Sequence, residues 1–318
     1  MHRILAEITR RGPTVLASGC AIGLAIPYLA GLARPLLPAM VFIFVLGTLL
    51  RINNAEVIKA ARNLKISLIF PALMVVVCPY LFGTISLYLS GNQELSLAIA
   101  IAVAAPPASG NAAVARMLGL DPSMSLVTAL CSMAIIPITA PLILHVFAEG
   151  LSLSINPIDL AVRLAVLIGG AEGAALLIRR FSHTFVATHG LAIDGVVVIA
   201  LFLFAVGTMA GMQTIILDKP LLAISMIAIA YGVNIVMQLF MGGLYPGSLV
   251  SKFTMALNGG NRNVGLLWSA LGVSLSPTMA LYFACCQLPI HTMPKILQFA
   301  LPKIESLLKK PVVPRNRT

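Results

Sequence analysis

Ten apolar runs, most of them close to the length of a bilayer crossing, constrain this chain more than any single motif. They fall at about 14–32, 36–50, 65–89, 95–119, 122–147, 157–178, 188–211, 219–243, 247–272 and 277–298. A helix crosses the hydrocarbon core with roughly 20 mainly apolar residues. What remains cannot build a water-facing surface. Only 10% of the 318 residues are charged and mean hydropathy is +1.00, whereas soluble domains carry about 25% charged residues. Punctuation supports several boundaries. Asp121-Pro122, Asn156-Pro157 and Ser276-Pro277 each set an N-capping side chain before a proline at the first helical position. Arg51 to Lys65 and Ser182 to Gly190 read as loops.

Orientation follows from the basic residues. With the N-terminus inside, the inner segments collect Arg3, Arg10, Arg11, Arg51, Lys59, Arg62, Lys65, Arg116, Arg179, Arg180, Lys252, Lys295, Lys303, Lys309, Lys310, Arg315 and Arg317. The outer segments collect Arg34 and Lys219. That asymmetry is the positive-inside pattern. It accounts for the net charge of +11 without a nucleic-acid partner, since no basic patch or zinc-finger segment is present. Both ends are expected in the cytoplasm, with Met1 to Gly12 a retained end rather than a cleaved signal. Cys20, Cys78, Cys131, Cys285 and Cys286 all lie in apolar runs with no CxxC pair, so they read as packing groups.

Ten crossings from an inside start divide into five and five, and the two halves then face opposite ways. The expected fold is therefore all-α: a polytopic membrane protein with ten transmembrane helices in two inverted five-helix repeats. The first repeat occupies 1–150 and the second 151–300, followed by a basic cytoplasmic tail at 301–318. Each half carries one interruption in its fourth run: Ala104-Ala105-Pro106-Pro107-Ala108-Ser109-Gly110-Asn111, and Asn258-Gly259-Gly260-Asn261-Arg262-Asn263. Adjacent prolines remove donors and block pairing one turn back, and each glycine lowers helix propensity by about 1 kcal/mol. Broken backbone is tolerated at bilayer depth only inside protein or along a cavity. There it can meet ions and substrate.

These two stretches resemble the bile acid:sodium symporter family, which shares a superfamily with arsenite and auxin-type carriers. The first, from Pro106 to Asn111 and on through Gly119 to Ser125 and Pro137, is similar to the family's Pro-Gly-Gly-rich break and the hydroxyl-bearing helix after it. The second, Asn258 to Leu266, is similar to the family's Glu-x-Gly-x-Gln-Asn-x-x-Leu signature. The resemblance implies a panel of spans one, two, six and seven beside a core of the other six. Discontinuous spans four and nine cross in that core at their unwound centres. It also implies two sodium ions behind the crossing and an organic anion moved by alternating access. Asn111, Asn263, Ser125 and Thr128 match family positions. Gly110, Asn258 and Arg262 stand where the family has Ser, Glu and Gln.

The expected binding set is therefore Ser109, Asn111, Ser125, Thr128, Asn258, Asn261, Arg262 and Asn263, with sodium at Asn111, Ser125, Thr128 and Asn258. Arginine has no lone pair for sodium, and a charge at membrane depth is rarely idle. One reading has the Arg262 guanidinium fill the space of a sodium ion, bonded to carbonyls of the broken helices. Glu172, in Gly169-Gly170-Ala171-Glu172-Gly173, is the candidate proton carrier if sodium is not used. Asp159 and Arg163 are spaced to pair on one helix face, and Asp194 reads as interfacial. Asn234 and Gln238, four apart, place two amides on one face of the eighth run, bordering the second break.

No HExxH, paired prenyltransferase aspartates or GxxxxGK[ST] is found, so the chain reads as neither an enzyme nor a primary pump. The expectation is a secondary active transporter of a small organic anion in a cell membrane, in bacterial terms the inner membrane, by resemblance sodium-coupled. The alternatives are a proton-coupled or uncoupled carrier with Arg262 in place of sodium, and a non-transporting sensor. No cofactor beyond a coupling sodium ion is expected. The bilayer and the anion are the only partners, and no protein partner can be read from the sequence.

Overall fold

The computed structural model describes residues 12–52, 54–151, 156–272 and 275–308. The N-terminal end expected in the cytoplasm and the last ten residues of the basic tail lie outside the described residues. Within them the protein is an all-α, multi-pass membrane protein. Six helical runs are long and apolar enough to cross a bilayer: Pro27–Leu50, Lys65–Ser90, Pro122–Phe147, Pro157–Phe181, Gly190–Asp218 and Pro220–Leu244. Their outward faces carry large apolar side chains such as Tyr88, Ile158, Leu217, Leu221 and Leu239, as a lipid-facing surface requires.

The first helix, α1 (Gly12–Ala25), stops before Pro27, and α2 (Pro27–Ala33) resumes after Ile26. Pro27 has no N–H for the carbonyl one turn back. The amide of Gln213 substitutes, donating from Nε2 to the Gly23 oxygen at 2.5 Å and the Leu24 oxygen at 2.9 Å. A 3-10 turn at Arg34–Leu36 leads to α3 (Leu37–Leu50). The neighbours of the glycines fix the directions. Gly19 faces Phe202 and Ala205, and Gly23 faces Val206 and Met209, so α1 runs parallel to the helix at 190–208. Gly47 faces Val197 and Gly207 faces Leu37, so α3 runs antiparallel to it. α1 and α3 thus point opposite ways, although Pro27–Leu50 also qualifies by length as one run. The expected run at 14–32 is cut at Ala25, because Pro27 is the stronger break.

α4 (Asn54–Ala61) and α10 (His183–Thr188) occupy segments expected to be loops. Neither contains Pro or Gly, so nothing stops the main chain from coiling. α5 (Lys65–Ser90) contains two π turns, Lys65–Ile69 and Leu73–Val77. In each, the closing N–H reaches back five residues, Phe70 to Lys65 and Cys78 to Leu73. The next residue is a proline, Pro71 or Pro79. The carbonyls of Ile66 and Met74 are therefore left without a partner in their own helix.

α6 (Gln93–Ala104) turns back along α5 after Gly91, whose φ of 62° suits glycine. α7 (Asn111–Met117), α8 (Pro122–Phe147) and α9 (Pro157–Phe181) follow. α11 (Gly190–Thr208) and α12 (Met212–Asp218) come next. α13 (Pro220–Leu244) packs along α14 (Leu249–Gly260), which is followed by α15 (Val264–Leu271). α16 (Pro277–Leu308) runs past the expected end of the last span, so the tail's first eight residues are helical. The three Asx- or Ser-Pro caps form as read: Asp121 accepts from Met124, Asn156 from Ile158 and Ser276 from Met279.

Two packing groups result. In one, α11 lies between α1 and α3, and α3 lies against α9. The other holds α5, α6, α8, α13, α14 and α16. The contacts of α8 with α9, and of α16 with α1, join them.

Candidate functional site

Pro106 and Pro107 withhold two successive N–H groups, and α6 ends at Ala104 while α7 starts only at Asn111. In the second half α14 ends at Gly260 and α15 starts at Val264. The two non-helical stubs lie antiparallel and pair. Ala108 N donates to Asn261 O at 2.8 Å and Asn263 N donates to Pro106 O at 2.7 Å, setting Pro107 opposite Arg262 in an isolated bridge. Main-chain groups that no water could reach thereby satisfy one another. The breaks meet.

Small residues bring α14 to this place. A Cβ on Gly259 would stand 2.7 Å from Met237 O, and one on Gly260 would stand 2.4 Å from Gln238 Cγ. Asn234 Nδ2 donates to the Gly260 carbonyl at 2.8 Å, and Gln238 Nε2 donates to Asn234 Oδ1 at 2.7 Å. The two amides spaced four apart therefore border the second break and cap the end of α14.

On one side of the bridge lies a cluster of neutral side chains. Asn258 is fully buried, and its Oδ1 accepts from Ser125 Oγ at 2.7 Å and Asn111 Nδ2 at 3.2 Å. Asn258 Nδ2 donates to Ser125 O at 3.3 Å, and Asn111 Nδ2 also donates to Asn261 O at 3.0 Å. Thr128 stands apart from this mesh. Its single hydroxyl proton is shared between Met124 O at 2.9 Å and, more weakly, Ile66 O, one of the proline-freed carbonyls, at 3.4 Å.

This set does not fit a bare sodium ion. Sodium needs several hard oxygens with free lone pairs. Here Asn258 Oδ1 already accepts two hydrogen bonds and Asn111 turns its N–H groups inward, so only the hydroxyl oxygens of Ser125 and Thr128 keep lone pairs to offer. Among the described residues no carboxylate joins the cluster.

Arg262 occupies the crossing itself, with 5% of its surface exposed. Its Nε donates to Gly259 O at 2.8 Å, Nη1 to Ala105 O at 2.9 Å and Nη2 to Met74 O at 3.3 Å. The acceptors come from both breaks and from α5. A charged residue at the centre of a bilayer costs about 2.5 to 3.5 kcal/mol on insertion scales. Three hydrogen bonds from a charged donor, at about 1.5 kcal/mol or more each, outweigh that cost. The fork geometry of arginine makes all three compatible.

The face toward the other packing group is closed. The single hydroxyl proton of Thr48 is shared between its own Phe44 O at 2.8 Å and, across the interface, Ser109 O at 3.2 Å. Asn263 Nδ2 donates to Ser109 Oγ at 3.2 Å while Asn263 Oδ1 caps α15 by accepting from Leu266 N at 3.2 Å. Leu201 approaches Gly110, and the ring of Phe204 covers Gly265.

The structure thus brings Ser109, Asn111, Ser125, Asn258, Asn261, Arg262 and Asn263 into one connected region, with Thr128 on its margin. Asn261 Oδ1 is buried there with no hydrogen-bond partner among the described residues. Glu172 does not join. It is exposed on α9, where open space adjoins Gly169 and Gly173, and it makes no bond to the crossing. Arg163 does not pair with Asp159 but donates from Nη1 to Ala270 O at 3.2 Å, because that helix-end carbonyl lacks an intrahelical donor. Asp194 is tied to Arg51, Nε to Oδ1, at 3.0 Å. Sequence reasoning expected carbonyls of the broken helices around Arg262 without singling out Ala105 O, and missed Thr48 and Met74 O. Only the carbonyls left a signal, through the prolines that follow them.

Compared with family models and with curated proteins, the chain matches none.

Proposed function

We propose that the chain is a secondary carrier that moves a small organic anion by alternating access, with Arg262 built in where a coupling cation would otherwise sit. The observation that carries this reading is the three-way bonding of Arg262 to carbonyls of Gly259, Ala105 and Met74. A fixed guanidinium holds the crossing together in every state, near the place where the family that the chain resembles binds sodium. The mutual bonding of Asn258, Ser125 and Asn111 supports the same reading, and sodium coupling is set aside.

The packing pairs support a ten-span, two-repeat architecture. α1 against α11 has its counterpart in α9 against α3. α5 with α6 corresponds to α13 with α14, and α8 against α9 to α16 against α1. Exchanging the halves maps each pair onto its counterpart. On this reading α1, α3, α9 and α11 form a panel, the remaining helices form the core, and both termini face the cytoplasm of a bacterial inner membrane. Substrate enters between panel and core, at Ser109, Asn261 and Asn263. Opening that face breaks the Thr48–Ser109 bond and draws Leu201 and Phe204 away. The bridged stubs stay paired.

The test is uptake into proteoliposomes, using a panel of labelled mono- and dicarboxylates with sodium and proton gradients imposed separately. The expected result is carboxylate exchange or counterflow that an inward sodium gradient leaves unchanged. Uptake driven by sodium would overturn the assignment of Arg262. The absence of any carboxylate movement would overturn the carrier itself.

A further inference from the structure

The side of α16 that meets α1 holds a titratable group that the crossing does not use. Gln287 and His291, four apart and so on one side of the helix, are 2% and 3% exposed. Cys20 of α1 donates from Sγ to the Gln287 carbonyl at 3.8 Å. In an α-helix that carbonyl also receives the N–H of His291, so Cys20 marks the turn of His291 as a place where α16 meets α1. The contact of these two helices is one of those that join the two packing groups. His291 therefore sits at the seam that must part when the groups separate.

Its bonding is incomplete. Nε2 is buried and has no hydrogen-bond partner among the described residues. For packing alone an apolar ring would serve as well, because a buried polar atom without a partner costs free energy. An ionisable side chain at membrane depth is seldom without a task.

No fixed counter-charge faces it. Of the helices packed on α16, α1 carries Cys20, α13 Tyr231, α6 Glu94 and α11 Asp194, and α15 carries no titratable group. Tyr231 is bonded to Thr292, Glu94 to Thr278 near the other end of α16, and Asp194 to Arg51. On α16 itself, Lys295 turns its ammonium to Gln298 and the Phe299 ring. Tyr282 and Cys286 line a pocket with Arg262, and Tyr282 is about half a turn around the helix from His291. Cys285 is a free thiol. A proton added to His291 thus has no carboxylate to balance it. An organic anion entering between panel and core supplies the missing charge, and each ligand then favours the binding of the other.

We propose that His291 couples the carrier to protons, its imidazole taking up a proton as the organic anion binds on one side of the membrane and giving it up as the anion leaves on the other. The proton joins the free ring-nitrogen lone pair and departs from it, and no other bond changes. The assignment rests on the carrier reading, so transport is measured in two modes that separate the two claims.

Proteoliposomes of the purified full-length chain are given those labelled carboxylates that protein-free vesicles exclude. Counterflow at equal pH reads the carrier, and accumulation under an acidic exterior reads the coupling. The native chain should accumulate a monocarboxylate by up to about tenfold for each pH unit across the membrane. His291→Gln should lose this accumulation while still exchanging label, more slowly. Glu172→Gln, on the exposed face of α9, should keep both. If His291→Gln does not fold, His291→Asn takes its place. Without any variant, native protein in weakly buffered detergent should take up about one proton for each carboxylate bound. Counterflow without acid-driven accumulation in the native chain overturns the coupling and leaves the carrier standing, as does carboxylate binding with no proton uptake. Accumulation retained by His291→Gln, or lost by Glu172→Gln, overturns the choice of residue. No counterflow at all overturns the carrier and the coupling with it.

Discussion

Arg262 Nη2 lies 3.3 Å from the carbonyl oxygen of Met74, across 188 positions of chain, and that oxygen is available because residue 79 is a proline. Cys78 sends its N–H to Leu73, and Pro79 has none to send to Met74. The same device frees Ile66 O ahead of Pro71, and Thr128 takes it. Prolines in α5 thus set out acceptors that other helices collect.

Arg262→Lys keeps the charge but reaches fewer of the three carbonyls. Each buried acceptor left unmet costs about 1 to 3 kcal/mol, so we expect a loss of about 2 kcal/mol or more in stability. Trp268, the one tryptophan, sits on α15 just past the break, its ring 6.1 Å from that of Phe283. Its fluorescence during thermal unfolding in detergent reads the change. A lysine variant as stable as the native protein would contradict the bonding described for Arg262.

Pro79→Ala returns an N–H to α5. Helix propensity then favours the variant by up to about 3 kcal/mol, while the Met74 carbonyl is drawn back toward its own helix and Arg262 loses its third acceptor. The expected outcome is an unfolding temperature equal to or above that of the native chain, with slower carboxylate counterflow. A lower unfolding temperature would show that the π turn serves α5 itself.

Gly260→Ala should destabilise by about 1 to 3 kcal/mol, because its Cβ would meet Gln238 Cγ at 2.4 Å and Asn234 O at 3.0 Å. Gly243→Ala, also helical but with open space around the new methyl group, should be neutral or stabilising by about 0.5 to 1 kcal/mol. Denaturation of the two variants in parallel checks the contrast.

The double change Asn258→Glu with Arg262→Gln supplies a carboxylate and vacates the cationic position. We expect stability to become sodium-dependent, with the unfolding temperature higher in sodium chloride than in choline chloride. Saturating sodium at about 100 times its dissociation constant would contribute about 2.7 kcal/mol. The native protein should show no such difference.

Much of this region is legible in the amino-acid sequence itself. Pro106-Pro107 and Gly259-Gly260 announce breaks through their own chemistry, and Arg262 is conspicuous as a cation among apolar residues. The spacing of Asn234 and Gln238 places two amides on one face, where Asn234 reaches Gly260 O and Gln238 holds Asn234. Carbonyls of the broken helices are legible as a class of partner for Arg262, but which ones, and that Met74 O of α5 joins them, is not, because a main-chain carbonyl belongs to every residue and carries no side-chain signature. Asp159 and Arg163 have the spacing of a pair, yet a helix-end carbonyl across the interface takes the arginine. Glu172 looks like a buried carboxyl by its apolar company, but periodicity in a uniformly apolar helix does not say which side faces out. The helix end at Ala25 escapes notice for a related reason. Hydropathy alone marks where lipid ends, whereas Pro27 decides where this helix does.

The two main-chain bonds between Pro106–Ala108 and Asn261–Asn263 carry one more implication. A seam stitched from peptide groups is blind to which side chains surround it. Residues bordering it can be exchanged to suit a different cargo without unpicking the join, provided the prolines and glycines that expose those peptide groups are kept. Variation in cargo preference can then proceed around a joint that itself stays constant.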